Sequence, residues 1–187
     1  MKIQDEFLNI DDGDLQAKVD SLVNTSPLFQ QYIPNPVIEY SEEESPHGGY
    51  IEYLPPGETD PEGNILNPHD TDMFLFYDKA KDFSDDEKIN MIKGDFLHAL
   101  RRDSKWDEMT NRVWELRGPR AVKMDAGAYE GSGDKRDFDK WADVSRKDAW
   151  VRAYIMGYDD WKEVFDNAPP EQIKILEEMK TYLETGK

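Results

Sequence analysis

The chain of 187 residues contains no cysteine and only three histidines, His47, His69 and His98. Disulfides and thiolate metal sites are therefore excluded, and a metal could be held only by His, Asp or Glu. No apolar run approaches the roughly 18 residues that a membrane-spanning helix needs. The first five residues, MKIQD, also lack the apolar stretch of a secretion signal. The sequence predicts a protein without a membrane span that is made in the cytoplasm.

Basic residues are scarce in the first half of the chain. Residues 1–90 contain 21 acidic and 5 basic residues, whereas residues 91–187 contain 20 and 18. A surface this negative repels nucleic acid and favours basic partners. It could also mimic the phosphates of DNA, but a mimic would be acidic throughout, so a solvated or docking surface is the favoured interpretation.

The pattern of apolar residues predicts a single α+β domain over residues 1–187, since 37% of the residues are hydrophobic and 12% aromatic. Residues 1–36 should hold a helix over about 12–24 and an apolar connector. Residues 37–102 should hold a small sheet and a helix. Residues 103–187 should be mostly helical. The connector carries Leu28, Phe29, Tyr32 and Ile33.

Three β-rich runs predict a small sheet packed on one helix. Residues 37–40 and 50–54 should form a hairpin with a long connection, and residues 72–77 a strand covered on both faces. Ser84 and Glu87 have the spacing of a capping box, which predicts a helix over about 85–102. Further helices are expected over 104–117, from 138 onward and over 170–185. The glycine-rich, charged segment 118–135 should be a loop.

The predicted helix over 85–102 carries the segment Gly94-Asp95-Phe96-Leu97-His98. In the zinc-peptidase pattern H-E-x-x-H, two histidines one turn apart hold the metal and the glutamate activates a water. Here glycine replaces the first histidine and aspartate replaces the glutamate. The layout resembles a reduced zincin, and no catalytic residue is assigned in the favoured interpretation.

Two interpretations of Asp95 and His98 stay open. They could form a metal or general-base pair, because imidazole titrates near neutrality and a carboxylate can fix its tautomer. With zinc bound, Asp148 would be the preferred additional ligand and His69 the next. Alternatively, His98 is a helix-edge histidine that is hydrogen-bonded to an acid within the fold, and this is the favoured interpretation.

Two other groups of residues have a structural and a functional interpretation. Five tryptophans and Tyr154 could stack on bases or sugars, but their helical spacing favours core packing. The bases of residues 101–123 could contact phosphate, but the interleaved acids favour a salt-bridged surface. The aromatic residues are Trp106, Trp114, Trp141, Trp150, Tyr154 and Trp161, and the bases are Arg101, Arg102, Lys105, Arg112, Arg117, Arg120 and Lys123.

Three segments within residues 70–185 resemble an uncharacterised family of small proteins encoded by tailed bacteriophages. They are the capped helix that contains GDFLH (94–98), the tract WADVSRKDAWVRAYI (141–155) and PEQIKILEEMKTYL (170–183). The family helix reads nearer to G-E-x-L-H, so Asp95 departs from it. The resemblance implies a phage gene, often near virion genes, without an established reaction.

The resemblance and the missing histidine together predict a non-catalytic virion-associated or assembly protein. It would dock through its acidic N-terminal half and connector onto other virion proteins or itself, with no direct nucleic-acid binding. It would be made in the host cytoplasm and then join the virion. The alternatives are a zinc-dependent hydrolase that uses His98 and Asp95, and an acidic DNA mimic that inhibits a host enzyme.

Overall fold

The computed structural model describes residues 14–46 and 48–187 and has the predicted α+β fold. A three-stranded mixed sheet lies near the N-terminus, and the C-terminal half is mostly helical. The chain divides into a sheet unit that ends at Phe96 and a helical unit that begins at Leu97. The single domain over 1–187 stays a prediction. His47 and the expected helix start near residue 12 lie outside the described residues.

The sheet unit begins with two helices, α1 (14–23) and α2 (Pro27–Tyr32). Helix α2 occupies most of the segment that was predicted to be an apolar connector. Ser26 begins it, because its side chain accepts from the backbone N–H of residues 28 and 29. The apolar side chains of Leu28, Phe29 and Ile33 are buried. They pack within the fold, so the connector does not present them to a partner.

The sheet has the strand order β1-β3-β2, with β1 at Val37–Tyr40, β2 at Ile51–Leu54 and β3 at Met73–Phe76. Strand β3 is parallel to β1 and antiparallel to β2. The three strands confirm the prediction, but the expected hairpin of β1 with β2 is wrong. Strand β3 is apolar at every position and takes the central place, whereas β1 and β2 each carry a glutamate.

The core of the sheet unit is built on the sheet face that carries Phe74 and Phe76, both fully buried. The Phe74 ring lies 5.2 Å from that of Phe96, between centroids. Phe96 meets Phe29 of α2 edge-on at 5.1 Å. Such aromatic pairs contribute about 0.5–1.5 kcal/mol beyond their area burial. Contacts between aromatic rings therefore link α2, β3 and α3 in the core of the sheet unit.

Helix α3 (Asp85–Ala99) begins with the predicted capping box. The N–H of Ser84 donates to Glu87 Oε2 at 2.8 Å, and the N–H of Glu87 donates to Ser84 Oγ at 3.2 Å. A short 3₁₀ turn, Leu100–Arg102, follows α3. The predicted helix over 85–102 is confirmed apart from this change of winding.

The helical unit contains α4 to α9, joined by short turns. Helices α4, α6, α7 and α9 agree with the predictions, and Gly157 and Gly186 end α7 and α9 in the left-handed conformation. None of the helices in the described residues is both long and apolar enough to cross a membrane. The bounds are α4 Ser104–Glu115, α5 Pro119–Ser132, α6 Phe138–Ser145, α7 Lys147–Met156, α8 Lys162–Asp166 and α9 Pro170–Thr185.

The predicted loop over 118–135 is wrong, because most of this segment is helix α5. Pro119 stands at the first helical position, where its missing N–H costs nothing. Asp125 on α5 is fully buried and accepts from Arg146 Nε at 2.7 Å and from Trp150 Nε1 at 3.2 Å. Its other oxygen lies 2.7 Å from Arg117 Nε. These long-range contacts stabilise a helix that the local composition disfavours.

Candidate functional site

Asp95 and His98 lie three residues apart on α3, as the sequence predicted. Asp95 is half-buried, and the His98 side chain is 35% exposed. Gly94, at the position of the missing first ligand, is buried. The structure therefore places one imidazole, rather than two, on this helix.

His98 is hydrogen-bonded through Nδ1 to Asp148, the second residue of α7. Asp148 was the preferred additional ligand in the metal interpretation, and the structure brings the two side chains together. The carboxylate is 1% exposed, whereas the imidazole reaches solvent. An ionised carboxylate accepts from Nδ1–H and fixes this tautomer, so Nε2 has an available lone pair. This pair can therefore serve as a general base or as a ligand.

The charge on Asp148 is stabilised by its neighbours. Burial acts to raise the pKa of Asp148, but the hydrogen bond from His98 and the charge of Arg152 outweigh it and lower the pKa below the usual value. Arg152 Nη2 lies 3.8 Å from Asp148 Oδ1, one turn along α7. The buried carboxylate is therefore ionised at neutral pH.

His69 belongs to the sheet unit and has a different carboxylate partner. Its Nε2 lies 2.6 Å from Glu39 Oε1 on β1. The two side chains are 33% and 44% exposed. The pair is an exposed link between the loop that precedes β3 and the sheet. His69 as a second metal ligand stays a prediction.

The described residues offer little that would complete a zinc centre. In residues 14–46 and 48–187, no group of three or more His, Cys, Asp or Glu side chains is arranged to hold a metal ion. Catalytic zinc normally has three protein ligands. Arg152 beside Asp148 adds positive charge, which opposes a second cation. Around His98, the described residues thus provide fewer protein ligands than a catalytic zinc normally has.

The tryptophans and the bases follow their structural interpretation. Trp106, Trp114, Trp141 and Trp150 are buried, which confirms core packing for these four. Several of the bases form ion pairs with acids of the helical unit. Arg101 pairs with Asp107 and Asp143, Arg112 with Glu115 and Glu171, Arg117 with Asp125, and Arg120 with Glu163.

Sequence reasoning missed three charged residues with special surroundings. Asp125 anchors α5, and Arg152 adjoins the His98–Asp148 pair. Asp72, at the start of β3, is 3% exposed and accepts from the Tyr53 hydroxyl at 2.7 Å. Burial raises the pKa of Asp72 to about 6. Only the position of Asp72 directly before an apolar strand could have indicated its burial.

Comparison with family models, curated proteins and solved structures gave no match. The resemblance to the tailed-phage family therefore depends only on its three sequence segments.

Proposed function

We propose that the protein is a non-catalytic phage virion-associated or assembly protein that acts by docking onto a basic protein surface. The observation that carries this proposal is the charge imbalance of the sheet unit. The connector is not part of the docking surface that we propose, because its apolar side chains Leu28, Phe29 and Ile33 are buried in the fold. The acidic surface is then the region of the first half that is suited to a partner.

The acidic surface comprises Glu42, Glu43, Glu44, Asp78 and Asp82. The three glutamates are exposed. The Glu43 carbonyl accepts from the Asp78 N–H at 3.2 Å, which ties the loop after β1 to the turn after β3. Asp78, Asp82 and Glu42 all raise the pKa of one lysine, Lys81.

Among the described residues, the lysine ion pairs of the sheet unit involve only one acid of this surface, Asp78. Lys81 is paired with Asp78 at 2.7 Å, and Lys18, elsewhere in the sheet unit, is paired with Asp85 at 3.1 Å. The glutamates at 42–44 thus keep an excess of negative charge toward solvent. Complementary charge speeds encounter and selects a basic partner, and salt weakens both effects.

Binding to virion proteins tests the proposal. The chain would be titrated with each purified virion protein of the encoding phage, and mass spectrometry of intact particles would measure its copy number. We expect one partner whose affinity falls at high salt. The triple variant Glu42→Gln, Glu43→Gln, Glu44→Gln should weaken it at least about tenfold.

A matched triple variant, Glu130→Gln, Glu178→Gln, Glu184→Gln, removes three exposed acids from the helical unit instead. It should leave the affinity within about twofold of wild type, because rim charges away from the contact have small effects. Equal weakening by both triple variants would contradict docking through the acidic surface. Absence from particles together with no virion-protein binding would contradict the phage function.

A second candidate function is metal-dependent hydrolysis, because His98 has the carboxylate partner that orients histidine ligands. Elemental analysis of protein purified without added zinc tests it. Near-stoichiometric zinc that His98→Ala removes would support this candidate, and the zinc content of His69→Ala would show whether His69 is a further ligand. No specific contact favours the DNA-mimic alternative, which stays a prediction.

A further inference from the structure

Arg152 has donors that the described residues of the fold do not use. Its nearest acid oxygen, Asp148 Oδ1, lies 3.8 Å from Nη2, which is beyond hydrogen-bonding distance. Its Nε is buried and has no hydrogen-bond partner among the described residues. The side chain is nevertheless 28% exposed. Nε is closed to solvent, so a ligand from outside the chain could reach only the terminal nitrogens of the guanidinium, which make no hydrogen bond to the described residues.

His98 supplies a second donor beside Arg152. Its Nδ1 is occupied by Asp148, so the exposed part of the ring includes the Nε2 edge. Both side chains adjoin the same carboxylate, with His98 at Oδ2 and Arg152 at Oδ1. When the imidazole is protonated, Nε2–H and the guanidinium are neighbouring cationic donors.

When His98 is protonated, the surrounding residues do not fully neutralise the positive charge of His98 and Arg152. Arg101 is already neutralised, because it contacts Asp107 at 2.8 Å and Asp143 at 3.1 Å. The single buried carboxylate of Asp148 faces His98 and Arg152 together. Asp95, one turn earlier on α3, is half-buried and is the other acid near His98 in sequence. One added anion would balance the two donors.

We propose that His98 and Arg152 form a binding site for a small tetrahedral oxyanion, the free or esterified phosphate group or its analogue sulfate. Arg152 binds two oxygens, as guanidinium does with phosphate, and His98 donates from Nε2. Asp148 is the positioning residue, because it orients the ring without contacting the ligand. The site is separate from the acidic surface and does not depend on the proposed docking function.

Nuclear magnetic resonance of the ¹³C-labelled imidazoles in the full chain tests the site. Sulfate is the first probe, because its charge is constant in the pH range used, and chloride at equal ionic strength is the control. We expect a saturable shift of the His98 resonances only. His69 is a partly exposed histidine paired with an acid and serves as the internal reference. Inorganic phosphate and glycerol phosphate then distinguish a free from an esterified ligand.

The pH dependence has a defined sign. Nε2 donates to an oxyanion only when the imidazole is protonated, so sulfate should bind at least about fivefold more tightly at about pH 5.5 than at about pH 8.

The Arg152→Gln variant should lose the saturable shift, whereas Arg120→Gln should keep it, because Arg120 is an exposed arginine paired with Glu163. A wild-type His98 shift that follows the chloride control would overturn the site without any variant. A sulfate shift that persists in folded Arg152→Gln would overturn the role of Arg152.

Discussion

Asp72 in the sheet unit and Asp148 in the helical unit are both almost completely buried, yet their pKa values move in opposite directions. Asp72 has the neutral Tyr53 hydroxyl as a partner, and burial raises its pKa to about 6. Asp148 has His98 and Arg152, which lower its pKa despite its burial. The nature of the partner, rather than the depth of burial, therefore determines whether a buried acid stays charged.

The two units also differ as a whole in how they use their acidic residues. The sheet unit places apolar rings in its core and exposes most of its acids. The helical unit also buries the carboxylates of Asp125 and Asp148, but it surrounds these two with arginine and histidine. Its formal charge is nearly balanced because acids and bases are used in pairs. The exposed acids of the first unit are those that we propose for docking, whereas the buried acids Asp125 and Asp148 of the second unit are structural.

Asp125→Ala should have the largest effect, because Asp125 is a buried acid between two arginines. Removal would leave Arg117 and Arg146 without their carboxylate and Trp150 Nε1 without an acceptor. Breaking a buried pair costs about 3–5 kcal/mol, and since both arginines reach solvent we expect a loss of about 3 kcal/mol. Urea unfolding at neutral pH measures it. Asp139→Ala removes an exposed acid from α6 and should change the free energy of unfolding by less than about 0.5 kcal/mol. Similar small losses of unfolding free energy in both variants would contradict a stabilising network of Asp125 with Arg117 and Arg146.

Asp148→Asn should destabilise the protein by about 2 kcal/mol at neutral pH, because a hydrogen bond to a charged group is lost. The folded pKa of Asp148 is below the unfolded value of about 3.9, so its contribution is complete above that pH. It is lost as the pH falls through the folded value. Unfolding free energies of variant and wild type should therefore converge in strong acid. A loss that is equally large in acid would indicate a packing effect instead.

Asp72→Asn should instead stabilise the protein, raising the free energy of unfolding by about 1–2 kcal/mol at about pH 8. The folded pKa of about 6 exceeds the unfolded value, so the charged carboxylate disfavours folding once the pH rises through this range. Below about pH 4 both states are protonated and the gain should vanish. The amide oxygen can still accept from Tyr53. A variant that is less stable at high pH would show that the charged form of Asp72 has a partner that stabilises it.

Local patterns predicted much of the fold. The β-rich composition of the strand residues, and the Ser84–Glu87 capping box, depend on neighbours in sequence. The pairing of strands does not, since β1 and β2 are close in sequence but are separated by β3. Hydrophobic ranking of the three strands would have placed β3 in the centre.

The candidate site was predictable only to a degree. Asp95 and His98 share α3 because they are three residues apart. The encounter of His98 with Asp148 was suggested because Asp148 was expected on a helix that could cross the one carrying His98. The unused donors of Arg152 and the burial of Asp72 arise from contacts that spacing does not reveal. Helix α5 was missed for the same reason, because its anchor Asp125 contacts residues from α6–α7 that lie some twenty positions away.

The smallest expected effect tests whether the α5 segment is a helix or the loop that its glycines suggest. Gly127 lies inside α5, and a Cβ there would meet no atom within 4 Å. Gly127→Ala should therefore stabilise the protein by about 0.5–1 kcal/mol, because alanine favours the helix and loses less backbone entropy. Gly133, which ends α5 with φ +66°, is the matched control. Gly133→Ala should cost about 1 kcal/mol, since an L side chain disfavours that conformation. In a loop the two glycines would have no such difference, so equal effects in urea unfolding would contradict a stable α5.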